Sequence, residues 1–139
     1  MRDLKKSDRN KIEFDDPLSG TPLIVYYATP TASHIRAYQQ SSIQRKGNKV
    51  VMNSFDPALK YGQEIITGIG EGCFGYDGKI ISSDPTSPDY REDWKALLAE
   101  SAADVITLLA RHVFDGLRAA KDTLEIEGAV EEAVPFQKS

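Results

Sequence analysis

Residues 68–78 read GIGEGCFGYDG, and inside them GEGCFG at 70–75 spells G-x-G-x-x-G. The pattern is the fingerprint of loops that wrap a nucleotide's phosphates, and the alternative is a chain that must turn sharply. A dinucleotide loop needs a strand before its first glycine and a helix opening at its last, so that the helix N-terminus meets the pyrophosphate. Here Ala58, Leu59, Ile65, Ile66 and Ile69 trace a helical stripe upstream, starting at Ser54 or Asp56 with Pro57 and running to about residue 68. Downstream, Tyr76-Asp77-Gly78-Lys79 is an Asp-Gly hairpin signal before Ile80 and Ile81. Both flanks argue against a dinucleotide site. A kinase glycine loop lies in a hairpin, but Asp77 stands where its valine belongs, and no V-A-I-K, H-R-D, D-F-G or Walker A motif occurs. The glycines therefore read as a helix stop and a tight turn into a hairpin, with Cys73 and Phe74 tucked inward.

Working outward, Ile12 and Phe14 alternate with charged residues, and Leu23 to Tyr27 is aliphatic, β-branched and aromatic. Asp16-Pro17-Leu18-Ser19-Gly20 between them is dense in turn chemistry. This predicts a β-hairpin with strands near 11–15 and 22–28, closed by Pro30. Thr31 or Ser33 then caps a helix through about Lys46, with Ile35, Tyr38, Ser42 and Ile43 near one face and Gly47 as its stop. Residues 49–52 are a short strand or a linker. Gly62, inside the second helix, costs about 1 kcal/mol of helix propensity, which close packing would explain.

After a loop at 83–89, Asp89 or Tyr90 opens the strongest periodic segment. Trp94, Leu97, Leu98, Val105, Ile106, Leu109, Val113, Phe114 and Leu117 keep helical spacing. Ser101-Ala-Ala-Asp104 resembles a capping sequence, so the expectation is two helices, about 90–100 and 102–120, or one bent helix. Trp94, Tyr90 and Phe114 read as core or near-core. The fold class is α+β: small antiparallel hairpins packed with three to four helices, helix-rich in the C-terminal half. One domain spans 11–120, between a flexible N-terminus at 1–10 and an acidic, mobile tail at 121–139.

The 139 residues suit one domain with its own core, and 40% hydrophobic with 27% charged residues places it among soluble globular chains. A single cysteine, Cys73, precludes an internal disulfide and favours the cytosol. No apolar run approaches the roughly 20 residues that span a bilayer, and MRDLKKSDRNK has no apolar stretch after its charges, so neither membrane nor secretion is expected. Net charge is −4, divided as nine Lys/Arg against five Asp/Glu in residues 1–49 and eight against sixteen in 50–139. An acidic chain is a poor general nucleic-acid binder. The asymmetry is foremost a solvated surface, and it also suits head-to-tail contacts or two different partners.

His34 and His112 stand far apart without H-x-x-x-H or C-x-x-C, so no zinc site is expected. Asp15-Asp16 and Glu92-Asp93 are explained by a turn and by a helix first turn. Cys73 reads as a small packed residue rather than a nucleophile. No set of residues builds an enzyme, and no cofactor or metal is expected. Weight shifts to binding. Tyr26 and Tyr27 point to opposite faces of their strand, so one of them is free for contact if only one face is covered.

The order of FDDPLSGTPLIVYYATPT, YGQEIITGI, GCFGYDGK and DWKALLAESAADVITLLARHVF resembles the small tail assembly chaperones of long-tailed (siphovirus-like) phages and prophages, over roughly residues 11–118. The resemblance implies a non-catalytic protein of the host cytoplasm. It would bind the tape-measure protein, keep it soluble, recruit tail-tube subunits and leave before the tail is finished. It also implies a capacity for self-association. Many such chaperones are made in two lengths by a frameshift near the gene's end. The expected contact residues are Tyr26 and Tyr27 on the hairpin and Ile35, Tyr38 and Ile43 on the first helix. The runner-up is a structural tail-completion or head–tail connector subunit, and a nucleotide-binding enzyme fragment comes third.

Overall fold

The structure, a computed structural model, describes residues 1–52 and 54–117. The expected acidic tail at 121–139 and the end of the last helix at 118–120 lie outside the described residues. The fold is α+β, with antiparallel sheets and, among the described residues, four helices. Strands β1 (Asn10–Asp15) and β2 (Pro22–Tyr27) form the expected hairpin, with Ile12 opposite Val25 and Phe14 opposite Leu23. Leu23 and Val25 are buried, and Ile12 and Phe14 pack against the same core. Lys11, Glu13 and Asp15 stay exposed, the alternation of a sheet covered on one face.

Helix α1 (Ala32–Ser41) is capped at Thr31, whose hydroxyl accepts from the His34 amide while His34 Nδ1 accepts from the Thr31 amide. It stops at Ser41, five residues before the expected end. Strand β3 (Ile43–Lys46) pairs instead with β4 (Lys49–Met52), with Lys46 opposite Lys49. Gly47, at φ 63°, is the first residue of a two-residue Gly-Asn hairpin loop rather than a helix stop.

Helix α2 (Phe55–Ile65) is also shorter than expected. Its chain passes straight into strand β5 (Ile66–Ile69), which pairs antiparallel with β2 and places Ile69 opposite Val25. The β-branched run Ile65-Ile66-Thr67 favours the extended backbone. The switch of backbone puts both Ile65 and Ile66 into the core. A strand, not a helix, therefore precedes GEGCFG, and the first flank of a dinucleotide loop is present after all. The second is not: strands β6 (Gly75–Tyr76) and β7 (Lys79–Ile80) follow, joined through Asp77 and Gly78 at φ 53° and 78°. Two positive φ values make the primed turn that Asp-Gly favours.

Helices α3 (Trp94–Ser101) and α4 (Ala103–Asp115) are separate, broken at Ala102 (φ −137°, ψ 45°). The capping sequence expected at Ser101–Asp104 makes no side-chain cap bond: Ala102 is the cap residue. Residues 90–93 belong to the preceding loop, where Ser82 and Tyr90 form a parallel bridge. Tyr90 is exposed rather than near-core, and Leu117 lies outside the buried stripe.

The main core gathers Leu23 and Val25 of β2, Ile65 of α2, Ile66 and Ile69 of β5, Trp94 and Leu98 of α3, and Val105, Ile106 and Leu109 of α4. A second cluster joins α1, α2 and α4 through Tyr38, Ala58, Tyr61 and Ala110. The Tyr38 ring stacks on Phe114 at 4.6 Å, and Tyr61 meets both edge-on.

Candidate functional site

Two surfaces depart from an ordinary solvated exterior. The first is the segment from α1 to the start of α2. Ile35, Ile43, Val50 and Phe55 are all exposed, Ile43 by 54% and Val50 by 58%, though large aliphatic side chains are ordinarily inside. The β3–β4 register puts Ile43 and Val50 on one face, because Val50 lies two residues from Met52, the partner of Ile43. Among the described residues this sheet has two strands, so each strand has an edge without a ladder partner there. An isolated two-stranded hairpin is marginally stable in water, and a partner that covers its apolar face or extends its edge would stabilise it.

The second surface is a cleft of about 230 Å³ where the β1–β2 turn, the glycine-rich turn and the α3–α4 break converge. Asp16 shapes its first wall. Its carboxylate accepts from the Leu18 and Ser19 amides at 3.1 and 3.2 Å and from the Ser19 hydroxyl at 2.7 Å. Those bonds, the Ser19 hydroxyl first, hold its pKa below the usual carboxylate value. The turn leaves Leu18 90% exposed on the cleft wall. The second wall is Phe74 with Tyr76, set where the Ile81 amide donates to the Phe74 carbonyl at 3.0 Å. Gly70 fixes the bend before it: its amide donates to Ile24 O at 2.7 Å, and a Cβ there would stand 2.8 Å from Ile24 Cβ. The third wall is Leu97 with Val105, and Asp104 lies at its rim in the first turn of α4. The charged residues lining this cleft are the two acids, Asp16 and Asp104. Cys73 and Phe74 are half-buried there, tucked inward as expected.

The five expected contact residues do not form one site. Tyr27 packs against the main core, whereas Tyr26 lies on the other face beneath the Arg9 guanidinium, 3.9 Å from its ring centroid. Ile35 and Ile43 are exposed, near the start of α1 and just past its end. Tyr38 is corrected: it is only 2% exposed, and its hydroxyl donates to Asp115 Oδ2 at 2.8 Å. Burial first, then that bond, pushes its pKa up to about 12. It is a core residue because the α1 face that carries it packs on α2 and α4. Val50 and Phe55 were missed. The signal for Val50 was the Gly47-Asn48 loop, which sets the hairpin register. None of the five lines the cleft.

The chain matches no family model, no curated protein and no solved structure. Among the described residues no helix is long and apolar enough to cross a membrane.

Proposed function

We propose that this protein is a non-catalytic tail assembly chaperone of a long-tailed phage or prophage, acting in the host cytoplasm. It binds the tape-measure protein, keeps that long apolar helical protein soluble, and recruits tail-tube subunits to it. The supporting observation is the exposed apolar face of the β3–β4 hairpin, Ile43 with Val50, with Ile35 of α1 and Phe55 of α2 exposed on the elements before and after it in the chain. An amphipathic helix lays its apolar face on such a surface, and contact there needs no preorganised reacting groups. The sequence resemblance supplies the identity of the client.

The test is co-expression with the tape-measure gene product of the same cluster. The expected result is a soluble complex with the unaltered chain and loss of solubility with the double variant Ile43→Glu, Val50→Glu. Equal insolubility of the tape-measure protein with and without this chain would refute the proposal. So would finding the chain in finished particles, which is the behaviour of a connector subunit.

A further inference from the structure

The β3–β4 hairpin lies in a stretch of chain charged with one sign. Between Asp16 and Asp56 there is no acid, and the cations are Arg36, Arg45, Lys46 and Lys49. The register sets Lys46 directly opposite Lys49 beside the hairpin loop. Like charges at opposed positions weaken a strand pair, and opposite charges strengthen it. The acids of α2 lie outside the hairpin: Asp56 is in that helix's first turn, where the dipole favours it, and the Glu64 carboxylate stands 3.9 Å from His34 Nε2 of α1. The hairpin thus offers exposed Ile43 and Val50 on one face, Lys49 on the other, and, among the described residues, a free edge on each strand.

Residues 122–137 have the complementary composition. They hold five acids, Asp122, Glu125, Glu127, Glu131 and Glu132, and no cation; Arg118 and Lys121 precede them and Lys138 follows. Leu124 and Ile126 alternate with Glu125 and Glu127. In a strand that period separates apolar side chains from acids, the same division that the hairpin makes between Val50 and Lys49. The route between the two is short. The Tyr38 hydroxyl donates to Asp115 Oδ2 at 2.8 Å, so the last turn of α4 lies against α1, the helix that leads into β3. From Tyr38 to Ile43 is at most about 18 Å of chain, and the chain from Asp115 to Leu124 reaches about 30 Å.

We propose that residues 122–127 dock on the β3–β4 hairpin of their own chain as a third strand along a free edge. Leu124 and Ile126 lie on the face of Ile43 and Val50, and Glu125 and Glu127 lie on the face of Lys49. Strand addition supplies backbone hydrogen bonds, and the alternate side chains select the segment. The segment covers the apolar face assigned above to the client, so a bound client displaces it. That consequence rests on the client reading; the contact itself does not.

The experiment is carbodiimide coupling, which joins a lysine amine directly to a carboxylate. It uses the full chain alone, as an equal mixture of unlabelled and heavy-isotope-labelled protein. Mass spectrometry is expected to find Lys46 or Lys49 joined to Glu125 or Glu127 in peptides whose two halves carry the same label. Amide exchange of residues 43–52 is the second reading. Glu125→Lys with Glu127→Lys should speed it about tenfold, and adding Lys46→Glu with Lys49→Glu to that variant should restore the original protection. Absence of the couplings overturns the proposal. So do couplings in peptides of mixed label, which would assign the hairpin to the segment of a second copy. Exchange that ignores the charge reversal, or is not restored by the swap, overturns it as well. No client is present, so failure here leaves the client reading standing, and failure of the client to bind leaves these readings unchanged.

Discussion

Gly62 of α2 lies directly against Ile106 of α4: a Cβ on the glycine would stand 2.5 Å from the Ile106 carbonyl oxygen and 2.8 Å from its Cγ2. The two helices approach so closely that one of them carries no side chain at the contact. Gly62→Ala improves helix propensity by about 1 kcal/mol, but overpacking costs about 1–3 kcal/mol. The Ile106 carbonyl oxygen is backbone and cannot swing aside as a flexible side chain would, so the steric term wins. Urea unfolding is expected to show net destabilisation. A more stable variant would mean that α2 and α4 can separate freely.

Leu109 is fully buried among the sheet and helix residues of the main core. Leu109→Ala is expected to lower the unfolding free energy by about 2–5 kcal/mol, the loss of transfer energy plus a cavity. The neighbouring Leu108 is 49% exposed, so Leu108→Ala should change it by less than about 0.5 kcal/mol. The contrast between adjacent leucines tests the orientation of α4.

Tyr38 and Asp115 tie α1 to the last turn of α4. Tyr38→Phe keeps the ring stack on Phe114 and removes the hydroxyl, at a cost of about 1 kcal/mol. The pH dependence follows from the raised pKa of Tyr38, about 12. Between the ordinary tyrosine value near 10 and that raised value, the unfolded chain loses the proton while the folded chain keeps it. The contribution of Tyr38 is therefore complete below about pH 10 and is lost as pH rises toward 12. Alkaline unfolding curves of wild type and Tyr38→Phe should converge over that range.

Asp77 holds a positive φ of 53°, ahead of Gly78 at 78°. Asp77→Gly should be nearly neutral, whereas Asp77→Val, β-branched in the left-handed region, should cost about 1–2 kcal/mol. Unfolding of the two variants side by side checks this. Equal stability would remove the primed turn from the account.

The first hairpin was legible because Ile12 and Phe14, then Leu23 and Val25, alternate cleanly beside a dense turn. The helical half was legible from the spacing of Trp94 to Phe114. The ends of α1 and α2 were not. Ile35, Tyr38, Ser42 and Ile43 fit a helix to Lys46, and Ile65, Ile66 and Ile69 fit one to residue 68, since short apolar runs satisfy helical and extended periods alike. The same ambiguity hid half of the candidate site: with 43–46 read as helix, Val50 had no strand to pair with and no face to share with Ile43.

The sequence by itself determined the α+β class, the hairpin at Asp16–Gly20, the turn at Asp77-Gly78 and the opposite directions of Tyr26 and Tyr27. These rest on local backbone preferences and on the two-residue period of a strand. Only the tertiary structure decided that β5 continues α2 to become the third strand, that Tyr38 is core rather than surface, and that Gly62 is where α2 meets α4. It also brought Leu18, Phe74 and Leu97 from three separate parts of the chain into one cleft. Those outcomes depend on which distant residue arrives opposite, and spacing within a segment does not contain that information.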